Sequence, residues 1–430
     1  MRFGVFYEHQ LPRPWAEGAE LRLFQEALDQ VELADRLGIH FAWEVEHHFL
    51  EEYSHSSAPE VFLAACSQRT KRIRLGHGIV LMPPGYNHPA RVAERIATLD
   101  LVSCGRVEWG TGQGASAAEM GGFGIEPEQR QPMWLEATTE AANMLVMDPY
   151  PGHLGKYFSM PCRNLVPKSV QKPHPPIWLA CSRRETIHQA ARHGIGALTF
   201  AFVDQSEAVK WVAEYYDILK SEDCVPIGHA VNANIAIVAG FSCHADADEA
   251  RRRGLDGFRF FGYALGHHYI FGEHLPGRTS IWANYEKVRD ALPVPKGAGG
   301  IGTPDQIAKN MELFEEAGVD QVVFLQQGGK NQHEHICASL ELFAASVMPA
   351  FEKRHAQREV EKNAELTPYI QRALAHKTFR APLSDGEIRP IVALGQRLAR
   401  QESTDGKTAN FGRGGEMQVP LEDPLKKAST

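Results

Sequence analysis

The sequence predicts an α/β protein of the (β/α)8, or TIM, barrel class. Short apolar runs rich in β-branched and aromatic residues alternate with segments of helical, 3.6-residue periodicity. Eight such units follow in series, which favours a closed sheet over the doubly wound one that the first half would fit equally well. Each strand is followed by a helix, so the strands should be parallel and the crossovers right-handed.

Arg2 to Tyr7 reads as strand one. Leu21 to Leu37 carries apolar residues at 21, 24, 28, 31, 34 and 37 and forms a helix that stops at Gly38. Strand two is 41–45, followed by a helix from about Pro59 to Arg69. Strand three is Ile73 to Leu81, broken by Pro83-Pro84-Gly85, and its helix runs from about Pro89 to Val102. Arg106 to Gly110 is strand four. A glycine-dense loop and a helix from about Glu128 to Met147 follow.

The rhythm lapses over 148–176, a Pro-rich insertion with a hairpin expected around Lys156 to Leu165. It resumes with strand five (Ile177 to Ala180), a helix at 183–193, strand six (Ala197 to Phe202), a helix at 205–219 and strand seven (Val231 to Ala239). A second insertion, 245–300, is aromatic-rich. Thr303-Pro304-Asp305 then starts a helix, with Thr as N-cap and Pro in the first turn. Val319 to Leu325 is strand eight, and the last barrel helix spans about 333–351. The barrel is therefore placed at 1–351. Residues 352–430, charged and then Gly/Lys/Pro-rich with a helical patch near 385–400, read as a C-terminal extension.

A net charge of −8 argues against a nucleic-acid or anionic-lipid surface. No apolar run has the length of a membrane span, and the N-terminus shows no signal-peptide core. Seven cysteines with no CxxC pair fit reduced thiols and a cytoplasmic setting.

Chemistry concentrates where strand two runs into Glu46, His47 and His48, because that edge of a barrel bears active sites. Alternation along a strand would turn only one of the two imidazoles inward. The bland reading is a hydrogen-bonded structural pair. Glu46, His47 and His333-Glu334-His335 contain metal-ligand types, but no HExxH-like spacing joins them, so no metal is expected. The loop Gly110-Thr111-Gly112-Gln113-Gly114 lacks the GxGxxG spacing of a dinucleotide fold and reads as a tight turn or a cradle. Ala180-Cys181-Ser182-Arg183-Arg184-Glu185-Thr186 ends a strand and opens a helix, which suits a phosphate or an ordinary N-cap. Gly328-Gly329-Lys330 is an equal candidate by position. The aromatic run Phe258 to Phe271 is either packing or a lid over an apolar substrate.

Taken together, RFGVFYE, ADRLGIHFAWEVEHHF, the block from Ile73 to Gly114, PPIWLACS and GTPDQIAKNMELFEEAGVDQVVF resemble the bacterial luciferase-like, flavin-dependent monooxygenase superfamily over roughly residues 1–350. The resemblance implies a two-component monooxygenase: FMN, reduced by a separate flavin reductase, meets oxygen, and the flavin hydroperoxide oxygenates a hydrophobic small molecule. It implies a homodimer and a catalytic role for His47, whose ordinary pKa would let it exchange protons at neutral pH. The family's phosphate loop falls on Ser182 and Thr186. Gln113 stands where family members often carry a phosphate-binding arginine, a role that Arg183 or Arg184 is expected to take over. Thr111 and Gln113 would line the flavin pocket, with Phe6 and Glu8 on the substrate side. A deazaflavin-dependent dehydrogenase and a non-catalytic flavin-binding subunit are the alternatives on the same fold.

Overall fold

Eight parallel strands, Arg2–Tyr7, Phe41–Glu44, Arg74–His77, Val107–Gly112, Ile177–Cys181, Gly196–Thr199, Ile235–Cys243 and Gln321–Leu325, pair in chain order. Strand eight returns to strand one in register, Arg2 against Gln321 and Phe6 against Leu325, and so closes the barrel. The computed structural model describes residues 1–200, 205–393, 408–411 and 417–420. The chain divides into two compact units, Met1–Arg380 and Ala381–Thr430. None of the helices described is long and apolar enough to cross a membrane.

Period-two alternation separates two cores. From strand one, Phe3, Val5 and Tyr7 join the outer core between strands and helices, while Phe6 joins Phe41, Trp43, Trp178, Leu198 and Val323 inside the barrel. Trp43 meets Trp178 edge-on at 5.4 Å. Its indole occupies space that any side chain at Gly76 would need, since a Cβ there would lie 2.2 Å from the ring. The interior is therefore filled, and ligands have to bind at the rim.

Several elements depart from their predicted bounds. Strand three splits into Arg74–His77 and a short Val80–Leu81 that pairs with Thr111 and Gly112. The glycine-dense loop contains an unpredicted helix, Ala117–Phe123, ahead of Arg130–Val146. The hairpin lies at Tyr150–Leu154 and Ser159–Arg163, displaced toward the N-terminus. Strand seven starts four residues later than predicted, at Ile235, because Asn232 and Asn234 hold the entering chain through side-chain bonds to Ile177 O and to each other. Strand six is Gly196–Thr199; the predicted end at 201–202 lies outside the described residues. Thr303 caps its helix as expected, in a reciprocal box with Gln306.

The last barrel helix is two helices, His333–Ser346 and Met348–His376. The second crosses the N-terminal end of the barrel: Lys362 Nζ reaches Asp320 at 2.7 Å, Arg358 donates to Val319 O, and Lys377 donates to Pro226 O and Ile227 O. The first unit thus extends to Arg380, whereas the sequence placed a boundary after 351. In the second unit the described residues form a single turn, Asp385–Glu387, capped by Ser384, and a hairpin of Thr408–Phe411 with Met417–Pro420. Of the helical patch expected at 385–400, residues 394–400 lie outside the described residues.

Candidate active site

Strand two ends at Glu44, so residues 45–48 extend past the rim and strand alternation does not decide which imidazole faces the site. The loop is set by backbone bonds. His47 N donates to Ser56 O at 2.8 Å, and His48 N donates to Glu119 Oε1 at 3.0 Å. The same Glu119 oxygen lies 3.0 Å from His47 Nδ1. On the far side of the ring, His47 Nε2 stands 3.7 Å from Glu8 Oε2. The other Glu8 oxygen accepts from the Tyr53 hydroxyl at 3.0 Å.

One imidazole therefore lies between two carboxylates, Glu8 at 2% and Glu119 at 0% exposure. Burial by itself would lower the His47 pKa, but Glu119 and then Glu8 outweigh it and raise it to about 9. Glu8 rises to about 7, chiefly through burial, with His47 and Tyr53 pulling the other way. The two shifts are linked: the carboxylates favour the charged form of His47, and burial favours the protonated form of Glu8. Glu8 Oε2 and Glu119 Oε2 are buried and have no hydrogen-bond donor.

His48 has a different task. It bonds Glu46 at 3.2 Å, and Glu46 also accepts from Leu81 N and Asn87 Nδ2, which fixes the start of the loop after strand three. Glu46 is therefore committed to holding the loop. His333, for its part, bonds Gln30.

The predicted cofactor residues divide into two groups. Thr111 is fully buried, donating to Trp178 O and accepting from Trp134 Nε1, so it presents no free hydroxyl. Phe6 is likewise fully buried, 5.3 Å from Phe200, and packs the barrel interior. Ser182 and Arg183 are exposed beside the helix Arg184–Arg192, whose first turn Thr186 ties to Arg183. Arg184 is committed to Glu214, whereas Arg183 forms no ion pair among the described residues. Gln113 bonds Gln189 at 3.1 Å and so joins the loop after strand four to that helix. The rival loop after strand eight is occupied: Gly329 N donates to Gln10, and Lys330 sits 4.2 Å over Trp282.

The aromatic run proves to be both packing and cover. It lies in a helix, Ala247–Gly266, and a π-turn, His267–Phe271. Phe258, Phe260 and Phe261 are buried. Tyr269 faces the site, 6.4 Å from His47 and 6.2 Å from Tyr53. Phe49, Ile270 and Phe271 are exposed at the same rim, Phe49 stacking on Phe123 at 5.5 Å. Grooves of about 480 and 270 Å³ lie elsewhere, beside the hairpin and at the barrel base; the first is lined by His153, which stands 3.3 Å from Glu136 and 3.7 Å from Glu140, so an imidazole between two carboxylates is not peculiar to the rim.

Sequence reasoning missed Glu119, Tyr53 and Tyr269. The S-x-x-E pattern from Ser116 marks a helix start. Ser116 does cap it, but Glu119 turns away from the usual reciprocal bond to reach His47 and His48.

Residues 1–321 match the family described as luciferase-like monooxygenase. The oxygenase component of a flavin-dependent trigonelline monooxygenase from Acinetobacter baylyi is 25% identical over 83% of this chain and 98% of its own. Monooxygenase RslO1 from Streptomyces bottropensis superposes with a TM-score of 0.66 at 26% identity, covering 82% of this chain and all of that one. Two further barrels share the fold. The oxygenating constituent of 3,6-diketocamphane monooxygenase from Pseudomonas putida, in complex with FMN, has a TM-score of 0.62 at 19% identity over 81% and 98% of the two chains. An F420-dependent secondary alcohol dehydrogenase has 0.60 at 20% identity over 80% and 98%.

Proposed function

The chain belongs to the luciferase-like monooxygenase family, and on that premise we propose that it is the oxygenase component of a two-component monooxygenase using reduced FMN and O2. The observation that carries this reading is the His47 imidazole, held between Glu119 and Glu8 at the rim of the barrel.

The residues fit a flavin mononucleotide on two counts. Arg183, which forms no ion pair among the described residues and lies beside the Ser182 turn and a helix N-terminus, suits a phosphate monoester. The buried carboxylate oxygens of Glu8 and Glu119 without donors suit a ligand rich in N–H and O–H groups. When bound, the reduced flavin would supply the activation of oxygen.

The chain's own contribution is to hold and move a proton. Glu119 fixes the His47 ring by accepting from Nδ1, which leaves Nε2–H as the donor facing the pocket. Glu8, titrating near 7, sits where it can take that proton or return it. Tyr53 and Tyr269 cover the pair and exclude water. The apolar rim of Phe49, Ile270 and Phe271 favours a hydrophobic substrate such as a ketone, aldehyde, terpene or aromatic. A separate flavin reductase and a second copy of the chain are the partners of this reading, and the seven free cysteines suit a cytoplasmic setting.

The second reading, a deazaflavin-dependent dehydrogenase, is favoured by the fold match to the F420 enzyme. Anaerobic titration with reduced FMN and with reduced F420, followed by admission of air, separates the two. We expect reduced FMN to bind more tightly and its oxidised absorbance to return more slowly than for free FMN. Preferential F420 binding, with reoxidation of FMN unaltered by the protein, would overturn the proposal.

A further inference from the structure

We propose that His267, His268 and His274 form a divalent transition-metal site of the zinc class, cross-linking the turn that stands over His47 and touching the loop after strand two through outer contacts. The helix Ala247–Gly266 passes into a π-turn, and the chain doubles back at Gly272 to bring His274 over His267. That reversal needs glycine, because a Cβ at 272 would lie 2.2 Å from His267 Nδ1. One ligand atom from each of the three histidines lies within 4.8 Å of the others.

One separation matches a metal site directly, and the His268 ligand atom lies within 4.8 Å of the other two. Zinc–imidazole bonds of about 2.0–2.1 Å in tetrahedral geometry set neighbouring nitrogens about 3.3–3.4 Å apart. His267 Nε2 and His274 Nδ1 are 3.3 Å apart. The outer contacts leave the lone pairs on the right atoms. His268 Nε2 is 3.1 Å from the backbone oxygen of Glu51 and has to donate to it, leaving the lone pair on Nδ1. His274 Nε2, buried and without a hydrogen-bond partner, lies 3.8 Å from Glu51 Oε1. A metal on Nδ1 would place the His274 proton on Nε2, facing that carboxylate, the arrangement that orients metal-bound histidines elsewhere. Glu51 is itself held by Arg13 at 2.6 Å and by Gly277 N at 2.7 Å.

Three protein ligands would leave a fourth position for water. Tyr269 follows directly in the chain, so a metal here would fix the ring that stands over His47. None of this rests on the flavin reading, because metal binding is measured without turnover.

The test uses the untagged, full-length protein, stripped with chelator and titrated with Zn2+ by calorimetry and with Co2+ by visible absorption. We expect one ion per chain and the intense visible bands of tetrahedral Co2+. His274→Ala should weaken Zn2+ binding at least ~100-fold and Glu51→Gln ~10-fold, by analogy with the effect of outer contacts on known sites. His244→Ala, remote from the cluster, should change nothing. Zn2+ should raise the melting temperature of the parent chain and not that of His274→Ala. If His274→Ala does not fold, His268→Gln is read by the same titration. Substoichiometric binding by the parent chain, or equal affinity in the parent and the folded histidine variant, would show the 3.3 Å contact to be a ring-to-ring hydrogen bond and sink the proposal.

Discussion

The base of the barrel and the His47 site handle buried carboxylates in opposite ways. At the base, Asp35 accepts from the backbone N–H groups of Lys71, Arg72 and Ile73, and although burial opposes it these bonds hold its pKa low. Glu315 is treated alike: burial raises it, and hydrogen bonds, first from the chain's amino terminus and then from Arg354, more than compensate. At the rim, Glu8 and Glu119 share one imidazole and each keeps an oxygen with no donor. The base carboxylates, like Glu46 and Glu52 at the rim, are satisfied, whereas Glu8 and Glu119 compete for one imidazole, which is how a scaffold differs from a site poised for proton transfer.

The largest expected effect that could break this contrast is at His47. His47→Ala should lower oxygenation driven by reduced FMN by about 10²-fold or more while leaving the melting temperature near that of the parent. Equal turnover across a panel of ketones and terpenes would remove His47 from the mechanism. Next comes Lys362→Met at the base, which removes the cation from the buried Asp320 carboxylate and leaves it to the Tyr216 hydroxyl and Ile235 N. It should cost about 3 kcal/mol in denaturant unfolding and leave activity at low temperature intact. Asp35→Asn should cost less, about 1–2 kcal/mol.

Glu119→Gln sharpens the comparison electrostatically. The His47 resonance in an NMR titration should move down from about 9 toward its ordinary value, and the alkaline limb of the activity profile should move with it. The sign of the stability effect follows. A histidine raised on folding stabilises fully below its unfolded value of about 6.5 and loses that contribution as pH rises through about 9. Asp35, lowered on folding, stabilises above its unfolded value of about 3.9 and loses that contribution as pH falls. Hydrogen exchange should therefore loosen loop 45–56 first in alkali and the Asp35 region first in acid. Smallest of all, Arg184→Ala removes an exposed pair and should not change stability measurably, while Arg183→Ala should cut the preference for FMN over riboflavin by about tenfold.

The alternation of strands and helices was legible because burial on both faces of each strand imposes apolar runs that flanking turns delimit. His47 stands out in the sequence because it follows a strand end, whereas Glu8 is singled out only by the family resemblance; the structure brings the two within 3.7 Å. Glu119 was not legible, since its partner lies 72 positions away and its local pattern announces only a helix cap. The histidine cluster was hidden in a run read for its aromatics, and it converges only through a π-turn and a glycine reversal. Helix Met348–His376 was misread at its start because its surface is mostly charged; its lysines and arginines hold the base through backbone carbonyls and carboxylates that no periodicity reveals.

Pairing of Arg2 with Gln321 has a consequence for synthesis. The first barrel strand has one edge that only the last barrel strand satisfies. Until Leu325 has emerged, the nascent chain carries an open row of amides and carbonyls, a template for mispairing with other chains. Codon-level slowing before that point would lengthen this exposure and so lower soluble yield, whereas slowing after it would not.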